Sequence, residues 1–62
     1  MKVMFSEILR ESKKAVRVRF DDHRVWIPHS QIIKEDLPWQ ILDIPAWLVR
    51  ANGLEEWVVD KR

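Results

Sequence analysis

The side chains that could carry acid–base or metal chemistry are few and scattered. His23 and His29 are the only imidazoles, and the chain has no cysteine. A zinc site takes four ligands, and no third ligand lies at a recognisable spacing from the two histidines. Ser30 follows His29 directly, and neighbouring residues rarely face each other as a nucleophile and its base must. We therefore expect no enzyme activity, no metal and no cofactor.

A second group of residues combines positive charge with an aromatic ring. Arginines alternate with apolar residues from Ala15 to Phe20, and Arg24 and Trp26 follow shortly afterwards. Guanidinium groups bind phosphates, and an exposed indole offers a surface on which a base stacks, so this combination is typical of proteins that bind single-stranded nucleic acid. The candidate binding residues are Lys13, Lys14, Arg17, Arg19, Arg24 and Trp26.

Two other interpretations of these residues remain open. Alternating arginines are also what a solvated sheet face looks like, with Arg17 and Trp26 forming a cross-strand cation–π pair. Arginine and tryptophan are in addition the usual anchors of protein–protein interfaces, so the same residues favour capture of an acidic patch on a partner protein.

The elements that must position these residues form a β-hairpin. Residues 15–20 alternate between apolar residues and arginine, which predicts a strand, and residues 23–27 are predicted as its partner. Asp21-Asp22 between them is typical of a turn. A two-residue loop would place Arg17 opposite Trp26 and Arg19 opposite Arg24. Asp-Asp is not the preferred pair for so tight a turn, so we expect a four-residue loop, which keeps the same residues on each face.

The segment before the hairpin is ambiguous. The apolar residues from Met1 to Leu9 fit a helical stripe, whereas residues 5–11 also fit a strand that turns back at residues 12–14. A hairpin needs a third strand for independent stability, so we favour the strand and a meander.

After the hairpin, Pro28 ends the second strand and residues 29–38 are predicted as a loop or a short helical turn. Residues 39–44 are predicted as a short strand. A helix is expected from Pro45, with Gly53 in a left-handed cap and Leu54 closing a Schellman motif. Residues 55–59 fit a final strand or an apolar tail, and Lys61-Arg62 is predicted to fray.

Length and composition limit the size of the core and the kinds of site that this domain can form. The 62 residues include 11 Lys and Arg against 10 Asp and Glu, a net charge of +1. Residues 1–34 carry a net charge of +4 and residues 35–62 one of −3, so the two halves present opposite signs. A single domain of this size closes one thin core and has no room for a deep pocket. The sequence has neither a signal peptide nor a membrane span, which predicts a cytoplasmic protein.

The other three tryptophans compete for that thin core. We expect Trp47 to pack from the helix onto the sheet. Trp39 and Trp57 do not both fit, and whichever stays exposed would mark an interface. A homodimer through Trp39, Trp57 or a free strand edge would suit either kind of ligand.

The order of short motifs in residues 11–54 resembles that of small uncharacterised proteins carried by phages, prophages and plasmids. The motifs are Glu11-Ser12, Lys14-Ala15-Val16, Val25-Trp26-Ile27-Pro28, Ser30-Gln31-Ile32, Ile44-Pro45-Ala46-Trp47-Leu48 and Gly53-Leu54. The resemblance implies an accessory protein of a mobile element, a class that includes nucleic-acid-handling factors and anti-CRISPR inhibitors of host defence. The chain departs from that group in having arginines where the first hairpin is usually acidic.

Together these observations predict an α+β fold, a small antiparallel meander of three or four strands with one C-terminal helix. The predicted function is non-enzymatic binding, with single-stranded nucleic acid as the first choice of ligand. The alternative is occlusion of a host protein by the same residues.

Overall fold

The computed structural model describes residues 1–59, so the predicted fraying of Lys61-Arg62 lies outside the described residues. Within that range the chain forms six strands, one α-helix and three short 3-10 helices. The strands are β1 (Lys2–Met4), β2 (Glu7–Glu11), β3 (Ala15–Phe20), β4 (His23–Pro28), β5 (Lys34–Asp36) and β6 (Ile41–Asp43). The helix α1 spans Ala46–Ala51, and the 3-10 helices span His29–Gln31, Leu37–Trp39 and Glu55–Trp57. The predicted α+β class, with its antiparallel strands and single helix, is confirmed.

The predicted hairpin forms the centre of a three-stranded meander, β2-β3-β4, which we call the meander sheet. Its β3–β4 register pairs Arg17 with Trp26 and Arg19 with Arg24. The expected four-residue loop is wrong, because Phe20 pairs directly with His23 and only Asp21-Asp22 turns the chain. Asp21 adopts a left-handed φ of 52° in this tight loop. A tertiary contact supports the loop, because the Asp21 N–H donates to Ser6 Oγ at 3.1 Å.

The N-terminal segment forms strands, so the favoured interpretation is confirmed and the helical one is wrong. Strand β2 pairs antiparallel with β3, with a register shift between Ile8 and Arg10 that marks a β-bulge. The turn between the two strands is fixed by Ser12, whose Oγ accepts from the Ala15 N–H at 3.1 Å. Local hydrogen bonding of this kind explains why residues 12–14 reverse the chain.

A second sheet, β1-β6-β5, joins residues that are distant in the sequence, and we call it the long-range sheet. The predicted strand at residues 39–44 is present but shorter, since Trp39 belongs to a 3-10 helix. The loop predicted for residues 29–38 is wrong at β5, which pairs with β6. Lys34, Glu35 and Asp36 are poor strand formers, so the pairing with β6 decides their conformation.

Two adjacent residues connect the sheets. The Phe5 N–H donates to the Gln40 carbonyl at 2.8 Å, next to the long-range sheet, and the Ser6 N–H donates to the Arg19 carbonyl at 2.8 Å in the meander sheet. The Gln40 side chain also donates a hydrogen bond from Nε2 to the Ser6 carbonyl at 2.7 Å. The chain therefore passes from one sheet to the other at a fixed point.

The C-terminal helix begins one residue later than predicted. Pro45 has an extended ψ of 150° and occupies the N-cap, so the first helical residue is Ala46. The predicted end is confirmed: Gly53 has a φ of 65°, the Leu54 N–H donates to the Val49 carbonyl at 2.9 Å, and the Gly53 N–H donates to the Arg50 carbonyl at 3.3 Å. These two bonds define a Schellman motif.

Residues 55–59 form neither a strand nor a loose tail. After the 3-10 helix Glu55–Trp57, Val58 makes an isolated antiparallel bridge with Val3 of β1. This bridge places the C-terminal segment beside the long-range sheet.

The core lies between the two sheets and the helix. Thirteen hydrophobic residues are buried in one cluster, and the buried set among residues 1–59 contains no polar or charged residue. The members are Val3, Phe5, Val16, Val18, Phe20, Val25, Ile27, Leu42, Ile44, Leu48, Val49, Leu54 and Val58.

The expected packing of Trp47 onto the sheet is wrong, because this side chain is 56% exposed. The helix has only six residues and buries Leu48 and Val49, and Leu54 closes its end. So short a helix presents a narrow apolar stripe, which these residues fill. None of the helices in residues 1–59 has the length and apolar character needed to cross a membrane.

Candidate nucleic-acid interface

The meander sheet has one buried face and one polar face. Along β3, Val16, Val18 and Phe20 are buried while the alternate residues are partly exposed. Strand β4 continues the pattern, with Val25 and Ile27 buried and Arg24 and Trp26 exposed. The prediction that the three arginines and Trp26 share one face is confirmed by this register.

A fourth arginine joins this face. Arg10 of β2 pairs with Arg17 of β3, which in turn pairs with Trp26 of β4. We use the term arginine face for Arg10, Arg17, Arg19, Arg24 and Trp26. Sequence reasoning missed Arg10 because its place opposite Arg17 depends on the register that the turn between β2 and β3 sets, and that register is not visible in the periodicity of residues 5–11.

Arg19 is held in place by its neighbours. Its Nε and Nη2 donate to Glu7 Oε1 at 3.3 and 3.2 Å, and its Nη1 donates to the Asp21 carbonyl at 3.0 Å. Glu7 lies directly opposite Arg19 in the β2–β3 register. The ion pair is largely exposed, so it contributes at most about 1 kcal/mol to stability, and it leaves less of the Arg19 charge free for a ligand.

Arg17 lies at the middle of the face. It is partly buried, and its Nε is enclosed without a hydrogen-bond partner among the described residues. No cation–π contact joins it to Trp26 in the described part of the chain, although the two residues are paired in register. Its guanidinium is therefore not committed to the indole.

Arg10, Arg24 and Trp26 are the exposed members of the arginine face, whereas Arg17 and Arg19 are partly buried. Trp26 is 46% exposed, so its indole is not used to fill the small core. An indole in this state offers a ring face for stacking.

Lys13 and Lys14 lie in the exposed turn between β2 and β3, at the end of the arginine face away from Asp21-Asp22. The Lys14 carbonyl accepts from the His29 N–H at 2.9 Å, and His29 Nε2 lies 3.0 Å from the Ser12 carbonyl. The two lysines thus border a shallow depression that also includes Ala15, Pro28, His29 and Ser30.

The residues considered for catalysis do not converge. Asp21 and Asp22 form the hairpin loop, where Asp21 Oδ2 accepts from Trp57 Nε1 at 2.9 Å. His29 Nε2 lies 3.6 Å from Glu11 Oε2. Ser30 follows His29 in the same 3-10 helix, and Ser30 is exposed. No group of three or more potential metal ligands occurs within residues 1–59.

Of the two tryptophans predicted to compete for the core, Trp57 is partly buried and Trp39 is exposed. Trp57 packs against Phe20 with ring centroids 5.7 Å apart and contacts His23 edge-on at 5.0 Å. Trp39 is 69% exposed, and Ile33 and Leu37 nearby in the sequence are exposed as well.

Comparison of the chain with protein-family models, with curated proteins and with solved structures gave no match.

Proposed function

We propose that this protein binds single-stranded nucleic acid on the arginine face without catalysing a reaction on it. The observation that carries the proposal is the juxtaposition of four arginines with a half-exposed indole on one side of the meander sheet. Phosphates would lie along the guanidinium groups, and a base would stack on Trp26.

The surroundings of the face support an anionic ligand. Lys13 and Lys14 extend the positive charge beyond the start of β3, whereas Glu7 offsets part of that charge at Arg19. Residues 35–62 carry a net charge of −3 against +4 for residues 1–34, so the binding half and the remainder differ in sign. Such an asymmetry orients a polyanion toward one side of a small protein.

A single strand fits this surface better than a duplex does. Stacking on an indole requires an unpaired base, and a sheet face with an exposed aromatic ring is the arrangement by which several RNA-binding sheets hold unstacked bases. Affinity from stacking on one ring is about 1–3 kcal/mol.

The test is fluorescence anisotropy of a labelled, mixed-sequence single-stranded oligonucleotide at several salt concentrations. Three to five neutralised phosphates predict a log–log salt slope of roughly −2 to −3.5, at about −0.7 per phosphate. Trp26→Ala should weaken binding roughly 5- to 150-fold, the equivalent of 1–3 kcal/mol.

Trp47→Ala is the matched control, since Trp47 is also exposed, at 56% against 46% for Trp26, but lies on α1, outside the arginine face. Its affinity should equal that of the unmodified chain. Absence of binding at low salt, or equal loss in the two variants, would contradict the proposal.

A protein partner with an acidic patch is the second candidate, and the exposure of Arg24 and Trp26 favours it. Arginine and tryptophan are the usual anchors of protein–protein interfaces. A photoreactive residue at position 26 should then cross-link a partner protein, whereas the same residue at position 47 should not. The origin of the chain in a phage or plasmid, with a host protein as the target, stays a prediction from the motif order alone.

A further inference from the structure

Strand β4 forms one edge of the meander sheet and is the most regular free edge of the described chain. It pairs with β3 over six consecutive residues without a register shift, and its other side faces no strand. An unpaired edge of this kind presents a row of N–H and C=O groups to which another strand can pair.

The other sheet edges carry features that discourage pairing. Strand β2 is interrupted by the bulge between Ile8 and Arg10. Strand β5 has three residues, Lys34–Asp36, all of them charged. Strand β1 also has three residues, and Val3 already bridges to Val58. Short length, charge and bulges usually protect a strand edge from pairing. Strand β4 is six residues long, and no bulge interrupts it from His23 to Pro28.

The hydrogen-bond pattern identifies which residues of β4 face outward. The His29 N–H donates to the Lys14 carbonyl at 2.9 Å, and bonded and non-bonded pairs alternate along an antiparallel ladder. Val25 and Ile27 therefore bond to β3. Arg24 and Trp26 direct their N–H and C=O groups to the free edge.

We infer that two copies of this chain pair through β4, antiparallel, about a two-fold axis at Val25. In this register Arg24 of each copy lies opposite Trp26 of the other, and the pair occurs twice by symmetry. All outward N–H and C=O groups of these two residues are then bonded. The guanidinium and the indole share the polar face, which allows a cation–π contact between copies.

The neighbouring registers that keep polar and buried faces aligned are less favourable. An axis at Arg24 sets the two Arg24 side chains directly opposite each other, and like charges at this position are destabilising. An axis at Trp26 sets Arg24 opposite Pro28, which has no N–H to donate. A shift by one residue would place Val25 on the polar side.

The pairing joins the two meander sheets into one six-stranded sheet with both arginine faces on the same side. This inference does not rest on the proposed function, because it depends on backbone geometry and on contacts between copies. If nucleic acid binds as proposed, the joined faces would offer a site about twice as long.

The experiment is sedimentation equilibrium of the full chain without nucleic acid, up to about 1 mM, because one strand edge buries less than the roughly 1,200 Å² of stable complexes. The apparent mass should rise with concentration from 7.5 kDa toward twice that value. Trp26→Lys should keep the protein monomeric, since the introduced ammonium group would face Arg24 of the other copy. Adding Arg24→Glu should restore the dimer through two ion pairs.

Trp47→Lys is the matched control and should dimerise as the unmodified chain does, and thermal melting of every variant establishes that each is folded. An unmodified chain that stays monomeric at the highest concentration overturns the inference. A dimer that persists in Trp26→Lys would show that the copies do not pair through β4 in this register. The same conclusion follows if Trp26→Lys abolishes the dimer and the added Arg24→Glu does not restore it. Because no oligonucleotide is present, these results are separate from those that test the proposed function.

Discussion

The indole N–H of Trp57 donates to Asp21 Oδ2 at 2.9 Å and thereby connects the C-terminal segment to the hairpin loop of the meander sheet. The same segment bridges to the long-range sheet through Val58 and Val3. A single side-chain bond thus contributes to holding the two sheets together, across 36 residues of sequence.

Trp57→Phe should destabilise the protein by about 1 kcal/mol, because the aromatic contact with Phe20 is kept while the hydrogen bond to Asp21 is lost. For a domain of this size that loss corresponds to a fall in Tm of roughly 4–8 °C. Circular dichroism during heating measures it.

Asp21→Asn is the control for that bond. An amide oxygen still accepts from Trp57, and asparagine tolerates the left-handed φ of 52°. Its Tm should stay close to that of the unmodified chain. A large fall in Asp21→Asn would show that the negative charge, rather than the hydrogen bond, is what matters.

The two faces of the hairpin were predictable from sequence, because a loop of two or of four residues leaves the same residues on each face. The pairing of Arg17 with Trp26 was not, because it requires the two-residue loop, and Asp-Asp is not a preferred pair for so tight a turn. The long-range sheet was not, because β5 consists of charged residues that carry no strand signal. Its strand conformation depends on β6, and that dependence is invisible in a local window.

The candidate site divides in the same way. The common face of Arg17, Arg19, Arg24 and Trp26 was predictable from sequence, whereas the positions of Arg10 and Glu7 depend on how β2 pairs with β3. The contact of Glu7 with Arg19 changes how much charge the face offers, and only the three-dimensional register reveals it.

Leu42→Ala should destabilise the protein by about 2–5 kcal/mol, since Leu42 is 1% exposed within the core cluster and the truncation leaves a cavity. A chain of this length has a total stability of roughly 3–9 kcal/mol, so the variant should lose a large fraction of it. Urea denaturation measures the change.

Leu37→Ala makes the same chemical change five positions earlier, at a residue that is 52% exposed. We expect its urea midpoint to differ little from that of the unmodified chain, within about 0.5 kcal/mol. Equal effects of the two substitutions would contradict the burial described for β6.

Gly53→Ala should cost about 1–2 kcal/mol from backbone conformation alone. The φ of 65° disfavours a β-carbon, yet no atom lies within 4 Å of the place that carbon would occupy. Gly53→Asn should cost less, because asparagine enters the left-handed region more easily. Thermal melting of the two variants decides the order, and a greater loss in Gly53→Asn would point to a steric cause.

Glu7→Gln should strengthen oligonucleotide binding if the arginine face is the site. Removal of the carboxylate weakens the hold on Arg19 and adds about one phosphate contact, which steepens the salt slope by roughly 0.7. Stability should fall by no more than about 1 kcal/mol, because the pair is exposed. The same anisotropy titration measures the affinity and the slope, and thermal melting measures the stability.

Glu35→Gln removes one negative charge from β5, in the long-range sheet, and serves as the control for net charge. Its binding should change less than that of Glu7→Gln. Equal gains from the two substitutions would indicate a general charge effect and would count against a localised site.

The strands that pair in the two sheets are separated by very different lengths of sequence, and this difference affects the order in which the sheets form. The meander sheet joins neighbours within residues 7–28, whereas the long-range sheet joins residues 2–4 to residues 41–43. Closing the larger loop costs more chain entropy, so the meander should assemble in the rate-limiting step and the termini should dock afterwards. Destabilising substitutions at Val18 should then mainly slow refolding, and those at Leu42 should mainly accelerate unfolding.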